Sequence, residues 1–230
     1  MLNQYTVIIF VLEIVGTIAF ASSGAMVGAR KNMDVFGIIV LGVTTAVGGG
    51  CMRDLILGIH PPKMFHDFTY VGLAIATSLL IFLVTYKKRE LLEGHFIENY
   101  EKIMNAFDAV GLAVFTVIGI QTTVVACVAP NTFLLIFVGV ITSVGGGVLR
   151  DVLTCTMPLV FVKHIYASAS LVGAVLYVVL RSYINDVIAM VISMVTVIGI
   201  RLLAAKYRWN LPRISAYSDK KINSSFLKEK

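Results

Sequence analysis

Two runs of the chain carry the same unusual set of residues. Gly48-Gly49-Gly50-Cys51-Met52-Arg53-Asp54 and Gly145-Gly146-Gly147-Val148-Leu149-Arg150-Asp151 share the pattern GGGxxRD, and each sits in an otherwise apolar stretch. Glycine in a helix interior is less favourable than alanine by up to about 1 kcal/mol. Three in succession therefore predict a bend or a break. Backbone carbonyls freed at membrane depth need protein or a water-filled cavity to satisfy them, and such carbonyls replace part of the hydration shell of a potassium or sodium ion. The other use of the same residues is close helix packing, since small side chains let backbones approach.

The charged residues have two readings as well. Arg53, Asp54, Arg150 and Asp151 follow the glycines, and an intramembrane charge must face protein or water. Each arginine either lines or plugs one mouth of a pathway, or serves a structural ion pair. Adjacent helix residues diverge by about 100°, so the expectation is that each Arg bonds to another helix or to carbonyls freed at the glycines rather than to the neighbouring Asp. Glu13 and Asp108 are isolated acids in apolar segments. They are expected to pair with Arg53 and Arg150; titrating or binding a cation is the alternative.

These residues must be positioned by membrane helices. Of 230 residues, 58% are hydrophobic and 14% charged, against roughly 25% charged in soluble domains. Spans of about 20 apolar residues are expected at 5–27, 35–57, 68–86, 105–127, 132–153, 165–180 and 184–204. The small-residue run at 19–21 is not read as a cleavage site, because no Lys or Arg precedes it and Glu13 interrupts the apolar run. Cys51, Cys127 and Cys155 are expected as buried free thiols. Gly24 and Gly28 form a GxxxG that packs helices within or between subunits. Lys163-His164 is a loop pair whose histidine is read as solvated. No nucleophile elbow, zinc, Walker or dinucleotide motif is present, so no enzyme, cofactor, resident metal or nucleic-acid partner is expected.

Lysine and arginine set the orientation. With the C-terminal tail in the cytoplasm, fifteen lie inside, at 30, 31, 87, 88, 89, 102, 163 and eight from Arg201 onward, against Lys63 and Arg181 outside. The N-terminus is then outside.

The doubled motif extends to an internal repeat. Pro61 and Pro158 keep its offset of 97 residues, while Glu13/Asp108, Gly16/Gly111, Phe20/Phe115 and Gly24/Gly119 pair at an offset of 95. Three spans per repeat force the second copy to insert upside down. The expected fold is an all-α membrane protein of seven transmembrane helices. It divides into a first three-span repeat (1–89), a polar cytoplasmic linker (90–104), a second repeat (105–181), a seventh span (182–205) and a basic cytoplasmic tail (206–230).

Seven spans with GGGxxRD in the second and fifth, and an acid in the first and fourth, resemble the prokaryotic trimeric intracellular cation channel family and the related bacterial glycine-transporter domain proteins. The resemblance covers about 5–205. It implies an inverted three-plus-three repeat with a seventh helix, and a homotrimer with one pore per subunit. It further implies a pore lined by the second and fifth spans, kinked at Gly48–Gly50 and Gly145–Gly147, with Arg53, Asp54, Arg150 and Asp151 near the pathway. Potassium, and less selectively sodium, is the implied cargo, and the cell membrane the location. The lysine-containing motif that replaces the first glycine run in animal members is absent here. A carrier for glycine or another small zwitterion is the alternative, because half-helix N-termini suit a carboxylate and an acid such as Glu13 suits an ammonium. Membrane lipids are the other expected partner, with the basic tail against anionic headgroups.

Overall fold

A computed structural model describes residues 2–88, 96–127, 129–162, 165–207 and 209. Among these the regular structure is helical: α1 (Leu2–Arg30), α2 (Val35–Ile56), the short α3 (Lys63–His66), α4 (Phe68–Lys87), α5 (Phe96–Ala126), α6 (Thr132–Leu153), the short α7 (Leu159–Val162), α8 (Ala167–Leu180) and α9 (Asp186–Tyr207). Six of them, all but α3, α7 and α8, are long and apolar enough to cross a membrane. The span expected at 165–180 is a helix of 14 residues, about 21 Å at 1.5 Å per residue. Helix α5 begins at Phe96, so part of the stretch read as linker is helix. Lys163-His164 and most of the basic tail lie outside the described residues.

Helices α2 and α6 are built alike from end to end. The Asp34 carboxylate accepts from the Gly37 N–H at 2.7 Å, and the Asn131 side chain accepts from the Leu134 N–H at 2.7 Å, so both helices are N-capped. Both end on a left-handed residue, Gly58 (φ 70) and Cys155 (φ 51). Beyond it the Ile59 N–H reaches Asp54 O at 2.8 Å and the Thr156 N–H reaches Asp151 O at 2.9 Å. This is the Schellman closure, and it turns each chain back toward the arginine it has just left. Burial was expected for the thiols. Instead Cys51 and Cys127 are half-buried and Cys155, on its helix-ending turn, is exposed; all three are free.

Both helices run through their glycine triplets without interruption, so the break is not what the glycines provide. They provide contact. A Cβ on Gly49 would lie 2.0 Å from Thr142 O, and one on Gly146 would lie 2.1 Å from Thr45 O. Residues 45 and 49 of α2 thus face 146 and 142 of α6, which makes the two helices antiparallel. Met52 packs on Gly145 and Leu149 on Gly48, again reciprocally. The same two-fold relation holds for α1 and α5. Phe20 covers Gly111, Phe115 covers Gly16, and the two rings stack at 5.2 Å. Gly24 meets Gly42, Gly28 meets Ile38, and Gly119 meets Gly139, so the GxxxG packs α1 on α2 inside one subunit.

The third helices of the repeats correspond at an offset of 96. Tyr70, Ala74, Thr77 and Ser78 of α4 are buried, as are Tyr166, at the start of α8, and Ser170, Gly173 and Ala174 in it. One layer differs between the halves. Ala21, Ala46 and Ala74 in the first repeat correspond to Thr116, Ser143 and Ser170 in the second. There the Ser170 hydroxyl lies 2.8 Å from that of Thr116 and 2.7 Å from that of Ser143, a polar tie between α5, α6 and α8.

Gly49→Ala or Gly146→Ala drives a methyl into a backbone carbonyl and is expected to destabilise by about 1–3 kcal/mol, the usual range for overpacking. At Gly199 an added Cβ meets nothing within 4 Å, so Gly199→Ala is expected to leave stability unchanged or raised. Thermal unfolding of the purified protein in detergent checks the contrast.

Candidate functional site: two charged half-sites

The two-fold arrangement places a cluster of charges at each end of the α2–α6 crossing. In the first half-site, Arg53 donates from Nε to Asp54 Oδ1 at 2.8 Å, and its Nη2 lies 2.7 Å from the same oxygen. The other Asp54 oxygen accepts the Lys63 N–H at 2.8 Å. Lys63 Nζ then spans both oxygens of Glu13, at 2.9 and 2.8 Å. The Tyr70 hydroxyl donates to Glu13 Oε2, and Lys63 Nζ sits 5.0 Å above the Tyr70 ring.

In the second half-site, Arg150 donates from Nε to Asp151 Oδ1 at 2.9 Å. The Leu159 N–H holds the other Asp151 oxygen at 2.8 Å. Arg150 Nη1 bonds to Asp108 Oδ1 at 2.6 Å and to Ser23 Oγ at 2.7 Å. Asp108 Oδ2 faces Arg201 Nη2 at 3.3 Å, and the Arg201 guanidinium lies 4.7 Å from the centre of the Tyr166 ring.

Two expectations are corrected here. Adjacent Arg and Asp do pair, because the Asp is in the last helical turn. There the returning chain fixes one carboxylate oxygen, and the long guanidinium arm curls round to the other. Asp108 pairs with Arg150 as expected, but Glu13 pairs with Lys63 and Tyr70, not with an arginine. Lys63 reaches Glu13 because the turn after α2 delivers α3 beside α1.

Each half-site holds two acids and two cations: Glu13 and Asp54 with Arg53 and Lys63, then Asp108 and Asp151 with Arg150 and Arg201. Arg53, Asp54, Glu13, Asp108, Arg150, Asp151 and Arg201 are all buried. Unpaired they would be strongly unfavourable; paired, they form a polar lining with no net charge. No group of three or more metal-ligating side chains exists among the described residues.

The halves differ in space. A cavity of about 50 Å³ in the first half-site is lined by Glu13, Gly50, Cys51, Arg53, Lys63 and Tyr70, among others, with Phe115 also on its wall. A cavity of this size admits a few waters. A Cβ on Gly50 would find only the Arg53 guanidinium, at 3.7 Å, whereas one on Gly147 would strike the Tyr166 hydroxyl at 2.5 Å. The second half-site is thus filled. On the far side of Arg201, a cavity of about 900 Å³ lies between the start of α5 and the end of α9, with Glu98, Glu101 and Lys102 on its walls.

Sequence reasoning missed Lys63, Tyr70, Tyr166 and Arg201 as site residues. The tyrosines carried a signal, their own offset of 96. Arg201 lies on α9, outside the repeat, and had none. A third cluster, also missed, ties α9 to α1, α5 and α8. Asp186 accepts from Tyr5 at 2.5 Å, Gln121 at 2.6 Å and Tyr177 at 2.9 Å.

Two stretches of the chain, 10–86 and 105–182, each match the family described as glycine transporter. They coincide with the two repeats. The chain is 36% identical over 207 residues to the UPF0126 inner membrane protein YadS of Escherichia coli, which covers 89% of this chain and 95% of that one. Among solved structures it resembles a prokaryotic TRIC channel with a TM-score of 0.80 at 31% identity, over 90% of this chain and 100% of that one. It also resembles the TRIC trimeric intracellular cation channel orthologue from Rhodobacter sphaeroides, with a TM-score of 0.79 at 28% identity, over 88% and 99%. The chain is a multi-pass membrane protein, as its six apolar helices and these relatives agree.

Asp108→Asn leaves two buried guanidinium groups facing a neutral amide, and is expected to destabilise by about 3–5 kcal/mol. Glu13→Gln releases Lys63, whose side chain is 44% exposed and can rehydrate; a loss on the order of 1 kcal/mol is expected. Unfolding of the two variants in detergent, side by side, checks the order.

Proposed function

Given that the chain belongs to the glycine transporter family and shares the fold of the TRIC cation channels, we propose that it is a channel for monovalent cations in the cell membrane. Potassium passes, and sodium less selectively. Three copies form a closed ring with a separate pore in each, seven helices per copy cross the bilayer, and the N-terminus lies outside. The first half-site is then the outer mouth and the second the inner. The pore follows the glycine faces of α2 and α6, past Gly48–Gly50 and Gly145–Gly147, with Arg53, Asp54, Arg150 and Asp151 at its mouths. The exposed apolar side chains face lipid or the neighbouring copies.

The observation that carries this reading is the complete pairing of the arginines. Free guanidinium groups at both mouths would repel a cation; here each is matched by a carboxylate, so the lining is polar and neutral. A cation entering past Glu13 and Tyr70 meets oxygen ligands, the kind potassium and sodium exchange for water. The stacked rings of Phe20 and Phe115 form an apolar constriction between the halves, of a kind that gates by dewetting.

Recording the purified protein in a planar bilayer with asymmetric potassium chloride tests the reading. Discrete openings that reverse near the potassium potential are expected. Silence at a density at which reconstitution is verified, together with saturable glycine uptake into the same liposomes, replaces the channel by a carrier for a small zwitterion.

A further inference from the structure

The two half-sites are equivalent in their tyrosine, in the arginine–aspartate pair and in the acid opposite, yet they stand in different states. Tyr70 and Tyr166 are equivalent. Tyr70 bonds to Glu13, which leaves the space over Gly50 open. The Tyr166 hydroxyl is buried and has no hydrogen-bond partner. It lies instead over Gly147, the position that is empty in the other half.

Its natural partner is Asp108, the counterpart of Glu13, but both Asp108 oxygens are engaged. Oδ1 holds Arg150 and Ser23, and Oδ2 faces Arg201. Arg201 comes from α9 and has no equivalent in the first half, where the second cation is Lys63 from the loop helix α3. Arg201 is itself only partly satisfied, since its buried Nε has no partner. The 900 Å³ cavity it lines gives it somewhere to go, with Glu98 on the wall and Glu101, which pairs with Arg30 at 2.7 Å, beside it. A buried hydroxyl without a partner is unfavourable, so a rearrangement that seats it is favoured once its acceptor is free.

We propose that Arg201 of α9 is the latch of the second half-site: by occupying Asp108 it keeps the Tyr166 hydroxyl over Gly147, and its withdrawal lets Tyr166 bond Asp108 and clears the path beside α6. The proposal rests on the pathway reading above for its meaning, but its geometry is testable without any current.

Cys51 lines the open cavity, and its counterpart at an offset of 97 is Val148. In a chain with its three cysteines replaced by serine, Val148→Cys reports the second half-site; a chain keeping Cys51 alone reports the first. A small water-soluble thiol reagent is expected to modify Cys51 readily and Val148→Cys slowly. Arg201→Gln is expected to raise the Val148→Cys rate about tenfold, the scale of one hydrogen bond to a charged group, with the Cys51 rate unchanged. Tyr166→Phe forfeits no hydrogen bond, so it serves even if Arg201→Gln fails to fold, and it is expected to raise the same rate. A Val148→Cys rate unmoved by Tyr166→Phe, or by Arg201→Gln in folded protein, overturns the latch. Potassium currents with unmoved rates would retain the channel and reject the latch; raised rates without currents would do the reverse.

Discussion

The backbones of α2 and α6 touch at Gly49 and Gly146, and the placing of Arg53, Asp54, Arg150 and Asp151 follows from that contact. No side chain stands between the two helices where Gly49 meets Thr142 O and Gly146 meets Thr45 O. In a membrane, where burial of apolar surface drives no association between helices, such close approach is a main source of packing energy. Arg53 lies four residues beyond the crossing on α2, about 6 Å along the axis, and Arg150 lies equally far along α6. Because the helices are antiparallel, the two arginines are carried to opposite ends. The Schellman turns then fold each following segment back, so that a backbone N–H meets the adjacent aspartate.

A chain this apolar gains nothing in stability from burying the seven charged groups of the half-sites. Replacing a buried ion pair by packed hydrophobic residues is often neutral or stabilising, and intramembrane charges are by default functional. Here they come as two neutral sets, one at each end of a shared glycine face. The sets differ in where the second cation originates: Lys63 lies within its repeat and is half in water, while Arg201 is supplied by α9 and is buried. The two-fold relation is therefore complete in the backbone contacts and broken in the chemistry. The alanine layer of the first repeat against the hydroxyl layer of the second breaks it again.

Much of the fold was legible in the sequence. The doubled GGGxxRD gave the repeat, its offset matched the bounds of α2 and α6 residue for residue, and the offset of 95 paired Phe20 with Phe115 as equivalents, though not that their rings stack on each other. Less of the site was. The glycine triplets left two uses open, a bend or break and close packing, and the structure shows the packing, because a sequence does not reveal how near the partner backbone comes. Lys63 looked like a loop charge that sets orientation, and its turn toward Glu13 depends on the closure at Gly58. Arg201 looked like one basic residue among several near the C-terminus; only the packing of α9 on α5 brings it to Asp108. The apolar run at 165–180 holds α8, Ala167–Leu180, though composition did not mark where the helix starts.

The central claim is that ions move along the glycine face of α2, through the cavity that Cys51 lines. The most direct test is the potassium flux of a chain whose only cysteine is Cys51, before and after complete modification by a bulky thiol reagent, with a Cys51→Ser chain as control. The account predicts that modification abolishes the flux and leaves the control untouched. Flux that persists with Cys51 fully modified would place the pathway elsewhere.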